Sequence, residues 1–268
     1  MLRFTDIDTT PKRLPPVYAY RRHPLVSLRQ ALDPFIGKIG DLDYFIQIAK
    51  QECHFPSEHG LTRDESAAIY LYTMDWGEAS LYRLLNKVLR DEDRKVLEPW
   101  NGYIKLFDTA INKLPSCQIN LWRGINVDIS KNYVAGKEIT WWYFSSCSSA
   151  LNAVKHFLGP VSTLFMIEAR NAKDISSYSN YPNEKELVLG LGTRIRVAAD
   201  VLDHTSLTII HLTEISTNAE GEINTNSSNM TIQSTIQTNI GEYLHLRHIV
   251  IYFNIIKLIH RILQPQQP

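Results

Sequence analysis

Two glutamates, Glu184 and Glu186, sit two positions apart in the stretch YPNEKELVLGLGT and run straight into an apolar segment. In an extended chain, side chains two apart point to one face. The pair is therefore expected to stand side by side at the mouth of a buried strand. Carboxylates so placed suit general acid–base work and the stabilisation of developing positive charge. Alone, Glu-Lys-Glu after Pro-Asn is also ordinary loop composition, and two further stretches sharpen the reading. In NLWRGI, Arg123 closes a strand-like run and Gly124 follows. Arginine presents a rigid fork of donors suited to phosphate, and glycine lets a ligand approach the backbone. In WWYFSSCSSA an aromatic run leads into small residues, including Ser145, Ser146 and Ser148. These serines can cap a following helix, and small hydroxyls beside an aromatic wall can also orient a carboxylate or hold a sugar hydroxyl.

The elements that must position these residues follow from periodicity. Residues 1–24 read as an extended segment, because TPKRLPPVYAYRRHP carries four prolines. Residues 25–115 read as a lobe of short helices. Leu42, Phe45, Ile46 and Ala49 share one helical face, as do Leu81, Leu84, Leu85 and Val88, and Leu106, Phe107, Ala110 and Ile111. Thr62 and Glu65 form a candidate capping box. Residues 116–216 switch to short runs rich in Ile, Val, Leu and aromatics, read as at least five strands interrupted by one helix near Ala150–Leu158. Helices first and strands second give an α+β chain.

The order of an Arg at a strand end, an aromatic-x-Ser-x-Ser strand and a Glu-x-Glu strand start resembles the arginine, serine, glutamate class of mono-ADP-ribosyltransferases. That class includes the eukaryotic arginine-specific ecto-enzymes and the actin-modifying bacterial toxins. The resemblance covers about residues 60–215 and includes the helical stretch HGLTRDESAAIYLYT. The diphtheria-like class carries a histidine in place of the arginine, and Arg123 fits it poorly. The resemblance implies an N-terminal helical lobe followed by a mixed β-sandwich core. It implies that Arg123 contacts an NAD phosphate and shapes its strand, and that the backbone at Gly124 receives the nicotinamide amide. It further implies that Ser146 positions the catalytic glutamate, Glu186, and that Glu184 serves an arginine acceptor. Phe144-Ser145-Ser146-Cys147-Ser148 matches the family's aromatic-x-Ser-Thr-Ser with Cys147 where many members have Thr. LVLGLGT has glycines where ecto-enzymes often have prolines. Tyr178 and Tyr181, in the loop before the acids, either face the acceptor protein or pack that loop down, and Phe157 either stacks on nicotinamide or packs in the core.

The resemblance thus implies NAD as co-substrate without a metal, and as partner a target protein with an exposed arginine. An NAD glycohydrolase with water as acceptor, or a non-catalytic NAD-binding or interaction domain, are the alternatives. Lys+Arg and Asp+Glu are both 28, so bulk charge gives no reason to expect nucleic-acid or membrane binding. The three cysteines, Cys53, Cys117 and Cys147, have neither disulfide-framework nor zinc spacing. The start MLRFTDIDTT lacks a secretory pattern, so a cytoplasmic monomer is the expectation, with a secreted or surface-attached protein as alternative.

Residues 217–242 are dominated by Asn, Thr, Ser and Gln and read as a disordered polar linker. Residues 243–268 are apolar but carry Arg247, Asn254, Lys257 and Arg261. A charged residue at a bilayer centre costs about 3 kcal/mol on insertion scales, which argues against a clean membrane span. A docked terminal helix is expected, with an amphipathic surface helix as the alternative. Removing residues 217–268 should leave NAD turnover intact; an unfolded or inactive product would show that the tail docks on the core.

Overall fold

The computed structural model describes residues 14–155, 158–199, 201–204 and 207–215, with the backbone alone at 202–204. The expectations for residues 217–242 and 243–268 lie outside them. The helical lobe contains α1 (Leu28–Ala31), α2 (Leu42–Glu52), α3 (Arg63–Thr73), α4 (Leu81–Leu89) and α5 (Asn101–Lys113). The capping box read from sequence is formed: Thr62 accepts from the Glu65 amide, and Glu65 accepts from the Thr62 amide at 2.7 Å. Leu42, Ile46 and Ala49 are buried together, as are Leu106, Phe107, Ala110 and Ile111, so each apolar stripe faces the lobe's interior.

The proline-rich N-terminal segment departs from a purely extended reading. Between Pro16 and Pro24 there is room for one 3-10 turn, Ala19–Arg22, which drives Tyr20 into the lobe. The Tyr20 hydroxyl donates to Asp108 at 3.1 Å, and Arg94 donates to the Pro15 carbonyl at 2.8 Å. Burial, with the Asp108 charge beside it, pushes the Tyr20 phenol up to about 12.

The second half is one branched sheet of eight strands: β1 (Ser116–Ile125), β2 (Glu138–Trp141), β3 (Ser145–Ser148), β4 (Ser162–Asp174), β5 (Glu186–Leu189), β6 (Thr193–Val197), β7 (Leu202–His204) and β8 (Leu207–Glu214). The order along the main path is β1-β3-β5-β4-β8-β6-β2, with β7 on β8 and β1 also pairing β4. Among the described strands only β4 and β8 pair in parallel, so the sheet is mixed. The α+β fold with helices first is what the residues build.

Two sequence runs divide where a single strand would have been simpler. WWYFSS supplies both β2 and β3, because β2 pairs β6 at one end of the sheet while β3 lies between β1 and β5. The chain crosses between these places at residues 142–144. Likewise KELVLGLGTRIRV turns at Gly190–Gly192, where Gly192 adopts φ +80° and the Trp142 ring fills the place of its absent side chain. A single short helix, α6 (Leu151–Lys155), follows β3.

An aromatic cluster joins the lobe to the sheet. Phe107 of α5 lies 4.5 Å from the Tyr72 ring of α3 and 4.7 Å, edge to face, from Phe144 beside β3. All three rings are fully buried. Phe107→Ala removes this contact and should lower unfolding stability by about 3–5 kcal/mol in urea titration. A loss under about 1 kcal/mol would show that the two halves do not depend on it.

Candidate active site

The three strands that carry the predicted residues are neighbours. β3 pairs β5 with Ser148 opposite Glu186 and Ser146 opposite Val188. Directly opposed residues share a face, so Ser146, Ser148 and Glu186 point to the same side, with Ser146 the diagonal neighbour of Glu186. On the other flank β1 joins β3 through Trp122 opposite Ser148. Arg123, Ser146 and Glu186 are 1%, 2% and 0% exposed.

Arg123 works here as an internal brace. Its Nη1 donates to the Ser146 carbonyl at 2.6 Å, tying the end of β1 to the middle of β3. A bond of this kind shapes the end of β1; a phosphate contact would require the buried guanidinium to be uncovered. Cys147 sits in the same electrostatic neighbourhood. Its thiol is pushed up to about 12, chiefly by burial, while Arg123 pulls it down and Glu186 pushes it up. Gly124 has its own packing reason: a side chain there would stand 2.8 Å from both Val154 and Leu158. The space freed by the glycine on that side is filled by Val154 of α6 and by Leu158.

The acids do not share a strand. Pro182–Glu184 forms a 3-10 turn, Lys185 takes the left-handed conformation at φ +48°, and the strand begins only at Glu186. The expectation of two carboxylates side by side on one extended face is therefore corrected. Proline at the head of the turn favours the tight winding, and the left-handed residue reverses the chain before pairing with β3 begins. Glu186 is fully buried and Glu184 is half-buried. What relates them is Ser148: it stands opposite Glu186, and its hydroxyl donates to the Glu184 carbonyl at 2.7 Å. The Ser149 amide adds a bond to the Lys185 carbonyl.

The loop ahead of the acids is fastened to the helical lobe. Tyr70 of α3 donates to Asn180 Oδ1 at 2.6 Å, and Thr73 Oγ1 accepts from the Asn180 amide at 2.8 Å. Tyr178 belongs to this anchor rather than to an acceptor surface. It is 1% exposed, and its hydroxyl meets Ser57 Oγ and His59 Nδ1, each at 2.7 Å. A buried phenol needs such partners, and the loop 57–59 supplies them. Tyr181 is half-buried at the rim of the turn, its carbonyl accepting from the Glu184 amide. Phe157 lies outside the described residues.

Sequence reasoning missed Tyr72 and Asn86. Tyr72 OH lies 3.3 Å from Ser146 Oγ, and Asn86 Nδ2 donates to Tyr72 OH at 3.3 Å. The available signal was a pair of tyrosines in the otherwise apolar helix ESAAIYLYT, since buried phenols demand polar company. Among the described residues no cluster of His, Cys, Asp and Glu side chains could hold a metal ion, and no helix is long and apolar enough to cross a membrane.

Known proteins share both pattern and fold. A Mycobacterium avium (strain 104) protein provisionally named NAD(+)--arginine ADP-ribosyltransferase Mav is 30% identical over 164 residues, covering 60% of this chain. The aligned region is 19% of that much longer relative. Among solved structures, the type III effector XopAI of Xanthomonas axonopodis pv. citri matches with TM-score 0.56 at 19% identity, covering 74% of this chain and 92% of that one. The eukaryotic mono-ADP-ribosyltransferase ART2.2 matches with TM-score 0.55 at 14% identity, covering 71% and 86%. The Vis toxin of Vibrio splendidus matches with TM-score 0.51 at 19% identity, covering 75% and 92%. These likenesses show the fold. The sequence pattern of one family, NAD:arginine ADP-ribosyltransferase, matches residues 44–220, a span holding every site residue above, and the chain belongs to that family.

Proposed function

We propose that this protein transfers a single ADP-ribose from NAD to arginine side chains of a target protein, releasing nicotinamide. The observation that carries the reading is the registered triad: a fully buried Glu186 diagonal to Ser146, whose carbonyl is held by Arg123. NAD carries a cationic nicotinamide on ribose, and breaking that bond builds oxocarbenium character on the sugar. A carboxylate fixed in a water-poor place stabilises that charge far better than one in solvent. Glu186 takes this role, Ser146 orients it, and Arg123 keeps β1 and β3 in register. The side chains that cover Glu186 must part when the dinucleotide enters.

Glu184 takes the second role. An arginine acceptor is protonated, with pKa above about 12, and removing its proton at pH 7 in advance would cost at least ~7 kcal/mol. A carboxylate beside it avoids that step by pairing with the guanidinium, orienting one nitrogen and taking the proton as the new bond forms. Glu184 is half-buried at the edge of the turn, where a protein side chain can reach it, whereas Glu186 is not. The name of the Mycobacterium avium relative and the family match support arginine as the acceptor class.

Glu186→Gln should lower both transfer and NAD hydrolysis by about 10²–10³-fold, the loss typical of a transition-state stabiliser. Normal turnover in that variant would sink the assignment. Glu184→Gln should lose transfer to arginine while still hydrolysing NAD, read as free ADP-ribose. If both activities fell together, the two acids would not divide the work as described.

A further inference from the structure

We infer that Tyr72, held by Asn86, is a positioning residue that sets the direction of the Ser146 hydroxyl toward Glu186. The inference rests on the proposed role of Ser146 and extends it into the helical lobe. The three side chains form a buried line: Asn86 is 2% exposed, Tyr72 0% and Ser146 2%. Asn86 Nδ2 donates to the Tyr72 oxygen at 3.3 Å, and the same oxygen lies 3.3 Å from Ser146 Oγ.

The polarity of this line follows from the inventory of protons. A phenol has one O–H to give. With the Asn86 amide donating into its oxygen, the Tyr72 hydroxyl can direct its proton at Ser146 Oγ, 3.3 Å away. Ser146 Oγ then accepts from Tyr72, and its own single proton must go elsewhere. The β3–β5 register places Glu186, a carboxylate with only acceptor sites when ionised, diagonally beside Ser146 on the same face. In the inferred line, amide, phenol and hydroxyl run donor to acceptor toward the Glu186 side of β3, and successive hydrogen bonds in a low-dielectric interior polarise one another. Meanwhile Arg123 fixes the Ser146 carbonyl at 2.6 Å, so the serine is held at its backbone from β1 and at its side chain from α3.

The placement of Tyr72 fits this task. Its ring packs 4.5 Å from Phe107 and 6.3 Å from Phe144, which fixes where its hydroxyl sits. Asn86 comes from α4, the helix after α3. The catalytic carboxylate is therefore oriented through two helices of the lobe as well as by its own strands.

The test is a double-mutant cycle on the full chain. NAD turnover with agmatine is measured for wild type, Tyr72→Phe, Ser146→Ala and the double variant. Tyr72→Phe keeps the ring and removes only the hydroxyl. Its kcat should fall about tenfold, the equivalent of one buried hydrogen bond, with KM for NAD within about twofold of wild type. In the Ser146→Ala background the same substitution should cost nothing further, because the hydroxyl it acts through is gone. Wild-type kcat in Tyr72→Phe, or a loss that multiplies unchanged onto Ser146→Ala, would overturn the inference while leaving the functional reading in place. Wild-type kcat in Ser146→Ala alone would overturn the role of Ser146 itself, and this inference with it. If Tyr72→Phe does not fold, Asn86→Ala carries the same cycle, since it removes the donor that sets the phenol and leaves the tyrosine.

Discussion

A guanidinium buried to 1% exposure has lost hydration worth several kcal/mol and must recover it from fixed acceptors. Arg123 takes the Ser146 carbonyl as one of them, and that bond decides where β3 lies against β1. β3 is only four residues long, with few ladder bonds of its own to hold its register. Braced by Arg123 on one side and paired to β5 on the other, it aligns Ser146 and Ser148 with Glu186. A change of one position in that pairing would send both hydroxyls to the opposite face. The chemistry proposed for Glu186 depends on this register.

The acid-bearing turn is secured from three directions. Ser148 and Ser149 hold its end, Tyr70 and Thr73 of α3 hold Asn180, and the 57–59 loop holds Tyr178. The turn carries a left-handed Lys185, a conformation that costs an L-residue roughly 1–2 kcal/mol. Several anchors are what such a turn needs to persist. Because most of them come from the helical lobe, the lobe serves the site directly and does more than cover the sheet. The aromatic joint of Tyr72, Phe107 and Phe144 keeps the two halves at the distance these bonds require.

Much of this was legible in the residues. Helical faces followed from periodicity and the Thr62–Glu65 capping box from a four-residue pattern, while the grouping of Arg123, Ser146 and Glu186 was implied by the resemblance to the ADP-ribosyltransferases. Four features were not. The division of WWYFSS into two strands depends on partners 42 to 52 residues further on, which local pattern does not encode. The left-handed Lys185 breaks the period-two rule that put Glu184 beside Glu186, and lysine gives no local sign of that conformation. Tyr178 sits in a loop of polar composition, and only the fold brings Ser57 and His59 to it from 119 or more residues away. Tyr72 was hidden for the same reason: its partner Ser146 is 74 positions along the chain.

The most direct test of the account is the fate of the ribose. The purified protein is incubated with NAD, with and without the arginine mimic agmatine, and nicotinamide and ADP-ribosyl-agmatine are followed by mass spectrometry. The account predicts ADP-ribosyl-agmatine in step with nicotinamide release. Nicotinamide with free ADP-ribose alone would contradict arginine transfer and make water the acceptor, and no turnover at all would contradict the catalytic role of Glu186.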